Sequence, residues 1–138
     1  MDARNYLQQL QALKEDIKRT EDKIKELDAK LASPGALRYD KVRVQSSPVN
    51  QMEEGVIGKA QVLERLEKLK DRYISQYVTI MQQIDGMENQ TFRRALKYVY
   101  VDGMTIRKAA KKLKYSEDWT YHILARAREA FGKKYLLA

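Results

Sequence analysis

Residues 2–31 carry apolar side chains at alternating steps of three and four: Ala3, Tyr6, Leu10, Leu13, Ile17, Thr20, Ile24, Leu27 and Leu31, with Thr20 the one polar interruption. Most positions between them are charged or amide residues. That spacing keeps one face of a helix apolar, so it predicts a long helix with one stripe to bury. At about 1.5 Å per residue the helix would be roughly 45 Å long. Ser33-Pro34-Gly35 ends it, because proline disfavours helix in the residue before it and glycine relieves the turn. A loop over about 32–47 follows, with Tyr39, Val42 and Val44 among its basic residues. Ser47-Pro48 starts the next helix, since proline fits the first helical position.

The second series reads Val49, Met52, Val56, Lys59, Leu63, Leu66, Lys70, Tyr73, Tyr77, Ile80 and Ile84, and Asp85-Gly86 closes it. Lys59 and Lys70 would have to lay their stems along the seam and keep their ammonium groups in water. Gly55 and Gly58 cost about 1 kcal/mol each relative to alanine. Two helices of similar length with one stripe each predict an antiparallel hairpin over 1–87, a coiled-coil-like arm. The alternative is a homodimer in which the N-terminal helices pair with a second copy, and periodicity does not separate the two.

From Glu88 a third apolar set, Phe92, Leu96, Val99 and Tyr100, runs to Asp102-Gly103. Two short helices follow. Thr105 can cap the first, which would bury Ile106, Ala109, Ala110 and Leu113; Ser116 can cap the second, which would bury Thr120, Ile123, Leu124, Ala127 and Phe131. The small Ala109–Ala110 pair lets two backbones approach closely. The expected fold is therefore all-α, with a hairpin arm (1–87) and a three-helix head (88–138) containing a helix-turn-helix. Fifty residues lie within the range that folds alone.

Composition sharpens this reading. Two prolines and six glycines in 138 residues suit an all-helical class, and the absence of cysteine excludes disulfides and thiolate metal sites. No apolar run approaches a signal-peptide core or a membrane span, so a soluble cytoplasmic protein without a membrane partner is expected. The net charge of +8 is unevenly spread: residues 88–138 hold twelve Lys and Arg against five Asp and Glu, a net +7. A neutral arm on a basic head points to a localised polyanion-binding surface, whose bland rival is a solvated basic face.

The stretch KYVYVDGMTIRKAAKKLKYSEDWTYHILARAREAF resembles the region 4 helix-turn-helix of bacterial sigma factors, in which an aromatic-rich helix, an acidic-Gly turn, a capped helix and a recognition helix follow in this order. The whole chain, including LRYDKVRVQSSPVNQMEE, resembles a family of small phage and prophage proteins with sigma-like C-termini, a domain of unknown function close to phage late-gene transcription regulators. The resemblance implies a role in transcription through promoter-region DNA, host RNA polymerase or both. Two departures from the pattern stand out. Lys114 takes the place of the usual turn glycine, so a non-glycine residue has to adopt positive φ. Arg107 and Lys108 replace the usual acids of the first turn, with Lys108 where a capping-box glutamate would stand.

On the second short helix, Glu117, Asp118, Tyr121, His122, Ala125 and Arg126 fall away from the buried stripe and are the candidates for base contact. Arg126 could fork onto guanine, and Glu117 or Asp118 could accept from a cytosine amino group; the rival role for the two acids is to complement the helix N-terminus. Arg107, Lys108, Lys111, Lys112 and Lys114, with Arg128, Lys133 and Lys134 behind them, are the phosphate candidates. Packing is the expected fate of the single tryptophan, Trp119, and core or seam positions that of most tyrosines. His122, the only histidine, has no cluster around it for catalysis or metal. No nucleophile–base pair, glycine-rich phosphate loop or metal-ligand spacing is present, so neither an enzyme nor a cofactor is expected. The leading reading is a double-stranded-DNA-binding regulator. Its rival is an adaptor that uses the arm and basic head to hold RNA polymerase or another regulator.

Overall fold

The computed structural model describes residues 2–32 and 48–137, with the helical backbone alone at residues 32 and 48–57. Among the described residues the chain is all-helical, with no strand. Helix α1 spans Ala3–Ala32 and α2 spans Pro48–Asp85. Helix α3 covers Gln90–Leu96 and runs on into a wider π-helical turn, Lys97–Val101. Helix α4 is Ile106–Leu113, and α5 is Glu117–Phe131, continued by a second π-helical turn at Gly132–Leu136. The expected stop at Ser33-Pro34-Gly35 and the loop with Tyr39, Val42 and Val44 lie outside the described residues, as do the side chains of Val49, Met52 and Val56.

Four helices begin with the same local device. A short polar side chain accepts the free amide three residues on: Asp2 from Asn5 at 2.8 Å, Asn89 from Phe92 at 3.1 Å, Thr105 from Lys108 at 3.2 Å and Ser116 from Trp119 at 3.1 Å. Each bond satisfies an orphan donor, worth about 1 kcal/mol against alanine. Pro48 opens α2, as its fixed φ favours.

The described chain forms two compact units. The first comprises residues 1–14 and 72–138, a different division from 1–87 and 88–138. Its core shows why. Leu7 and Leu10 of α1 and Ile80 and Ile84 of α2 are fully buried with Leu96, Leu124, Ala127 and Phe131. Tyr6 donates from its hydroxyl to Gln83 Oε1 at 2.7 Å, and its ring lies 5.8 Å from that of Phe131. Gln11 caps the end of the π turn: its amide donates to the carbonyls of Tyr100 and Val101 at 3.0 and 3.1 Å. Gly103 sits beside it at φ 71°, where a Cβ would stand 2.7 Å from Gln11 Oε1. The second unit, residues 15–71, buries Leu66 and Leu69, half-buries Ile17, Ile24, Leu27 and Leu31, and joins α1 to α2 through an Asp28–Lys59 ion pair.

The α1 stripe is buried or half-buried at every expected position, with Leu7 added to it. The α2 stripe differs by one residue at alternate places. Leu63, Lys70 and Tyr77 are exposed, and Val62, Leu69 and Gln76 turn inward instead. Both series share Leu66, Tyr73 and Ile80, so both satisfy a 3-4 spacing. Burial of leucine in place of lysine selects the second.

Candidate nucleic-acid interface

Between α4 and α5 lie three residues, Lys114-Tyr115-Ser116. Lys114 is left-handed, at φ 62° and ψ 40°, as its place in the turn requires. That conformation lets the Lys114 amide donate to Lys111 O at 3.3 Å and the Tyr115 amide to Ala110 O at 3.0 Å. The last carbonyls of α4 are thereby paired in a Schellman closure. An L-residue in this region costs about 1–2 kcal/mol. Lys114→Gly is therefore expected to raise stability by about 1 kcal/mol, less the extra freedom of glycine in the unfolded chain, as read by urea unfolding at constant m.

The buried stripe of α5 is Thr120, Ile123, Leu124, Ala127 and Phe131, and that of α4 is Ala109, Ala110 and Leu113 with Ile106 half-buried. The two helices pack on each other and on α3. Glu117, Asp118, Tyr121, His122, Ala125 and Arg126 are all exposed, on the side of α5 away from that packing. Trp119 differs from its expected burial. It is 44% exposed, with the Arg126 guanidinium 5.7 Å from its ring and the His122 ring 6.3 Å away. The seven-residue step from Trp119 to Arg126 spans two turns and sets both on one side of α5. A lone tryptophan in the first turn of a helix whose stripe is already filled was the available signal. The outward surface therefore carries Trp119, Tyr121 and His122 beside Arg126, with the exposed Tyr115 in the turn before it.

The phosphate candidates divide into two sets. Arg107, Lys108, Lys111, Lys112 and Lys114 are exposed along α4 and its turn. Arg107 approaches Glu117 at 4.0 Å, and none of the four lysines is ion-paired among the described residues. The remaining three are engaged elsewhere. Arg128 is half-buried and donates to Tyr100 Oη at 3.1 Å, Lys133 pairs with Glu129 at 3.2 Å, and Lys134 donates to the carbonyl of Gly86. Arg128 and Lys133 also line a depression of about 520 Å³ with Arg4 and Leu136, at the start of α1. Arg128 and Lys134 thus brace the packing of α5 and its π turn. The open cations are those of α4. Sequence spacing shows which residues leave the stripe but not which of them already have a partner across the fold.

Among the described residues no group of His, Asp and Glu could hold a metal ion, and no helix is long and apolar enough to cross a membrane. The chain is an all-helical protein whose C-terminal part presents a capped two-helix unit. It belongs to the family described as protein of unknown function (DUF1492), whose model matches residues 30–132. Comparison with curated proteins and with solved structures finds no match.

Proposed function

We propose that this chain is a transcription regulator that binds duplex DNA, laying the outward side of α5 in the major groove and the cations of α4 along the phosphates. The likeness to sigma region 4 and to small phage regulators supports a phage-encoded protein acting in the bacterial cytoplasm, with host RNA polymerase as a second partner. One observation carries the reading. The six base candidates are all exposed on α5 while its opposite stripe is fully used in packing, and five exposed cations stand on the helix before it. Major-groove readers share that division of labour: one helix is held by its neighbour and offers side chains to base edges. Arg126, lying over the Trp119 ring, is the residue for a guanine edge, and Asp118, with no ion-pair partner among the described residues, is an acceptor for a cytosine amino group.

Duplex binding measured against salt tests this. Arg126→Ala is expected to relax preference at one position by about 1–3 kcal/mol, while Lys111→Ala weakens all sequences alike and lowers the salt slope by about one. Trp119, the only tryptophan, reports the encounter through its fluorescence. The adaptor reading is favoured by a different observation: the exposed side of α5 carries Glu117, Asp118 and Glu129, acids that suit a basic protein surface. If neither substitution alters binding to any duplex, the partner is a protein.

A further inference from the structure

Twelve successive residues of α2, Tyr73–Ile84, carry no charge, in a chain in which 33% of residues are charged. Burial within the chain accounts for only one side of that run. Tyr73, Gln76, Ile80, Gln83 and Ile84 are buried or half-buried, whereas Ile74 is 59%, Val78 46% and Tyr77 37% exposed, with half-buried Met81 at the end of the same stripe. Residues 74, 77, 78 and 81 follow the spacing of a helix-packing face. Aliphatic side chains this exposed, in line and without a charge among them, mark an interaction surface.

We infer that this stripe pairs with the same stripe of a second copy of the chain, the two α2 helices running antiparallel. The charges that bound the stripe identify the occupant. Lys70 lies one turn before Ile74, and Asp85 one turn after Met81, so cation and anion stand symmetrically about the midpoint between Tyr77 and Val78. In an antiparallel two-fold pair, Ile74 of each copy meets Met81 of the other, Tyr77 meets Val78, and Lys70 meets Asp85. A two-fold interface must be self-complementary in this way, whereas an unrelated partner has no need of opposite charges at mirrored positions. Asp85 already bonds Lys97 at 2.5 Å, and its carboxylate remains 56% exposed, open to a second cation. The surface is distinct from the buried α2 seam and from the exposed side of α5, so the inference stands whether or not the chain binds DNA.

The chain has no cysteine, which makes the test clean. In the full-length protein, mixed Ile74→Cys and Met81→Cys variants are expected to form a disulfide between copies in high yield, and each variant alone in low yield. Parallel pairing would reverse that pattern and overturn the proposal. Sedimentation equilibrium of the unaltered chain should show monomer and dimer exchanging across about a hundredfold range of concentration, with Ile74→Glu shifting the midpoint by about a hundredfold or more while helix content by circular dichroism is kept. A monomer at every concentration would also overturn it. An Ile74→Glu protein that dimerises as the unaltered chain does would place the contact elsewhere and have the same consequence.

Discussion

A fragment beginning at residue 88 is expected to show no cooperative unfolding transition. Sequence length alone permits a fifty-residue head to fold, but the core around Phe131 is completed by residues from outside it. Leu7, Leu10, Ile80 and Ile84 are each fully buried there. Burying one such side chain contributes about 1.5–3 kcal/mol, and four together rival the whole stability of a small domain, about 5–15 kcal/mol. The fragment also lacks the Gln11 amide, leaving the carbonyls of Tyr100 and Val101 without that donor, and Gly86, whose carbonyl accepts from Lys134. Thermal scans and near-ultraviolet circular dichroism of residues 88–138 against the full chain decide the matter. A sharp transition near that of the full chain would show that the helices of the head suffice by themselves.

Removing four cations together, Arg107, Lys108, Lys111 and Lys112 to alanine, is expected to lower affinity for any duplex by about 10²–10³ near physiological salt and to flatten the salt slope by roughly three to four. The fold should survive the change, because all four side chains are exposed and alanine is the best helix former. Stability should even rise slightly. Arg107 and Lys108 sit in the first turn of α4, where a cation opposes the helix dipole by about 0.3–1 kcal/mol. Loss of affinity with gain of stability is the signature of side chains kept for a polyanion. Unchanged duplex affinity would assign the basic helix to another partner.

Much of the architecture is legible in the chain because it is written locally. Thr105 and Ser116 are found at the caps expected of them, and the left-handed Lys114 follows from the place of a turn with no glycine to fill it. The buried sides of α4 and α5 match their apolar spacing residue for residue. What escapes is everything that depends on a distant partner. The inward choice of Leu69 over Lys70 needs knowledge of which 3-4 series meets α1, since Leu66, Tyr73 and Ile80 belong to both. The capture of Arg128 by Tyr100, 28 residues away, and of Lys134 by Gly86, 48 residues away, is invisible to spacing, and it leaves the open basic surface smaller than charge counting suggests. Trp119 misleads for another reason. Its size favours burial, but its helical position lies off a stripe that Thr120, Ile123 and Leu124 already fill.

The broad turn at Lys97–Val101 has a consequence for how this architecture could vary. Five-residue hydrogen-bonding steps there, such as Asp102 N to Lys97 O at 2.8 Å, accommodate one residue more than a regular helix of the same rise. Deleting a single residue from this stretch would rewind it to ordinary pitch and swing whatever follows by about 100° around its axis. The segment thus acts as an angular setting: its length in residues, more than the identity of any one of them, fixes the bearing on which the last two helices leave the first three.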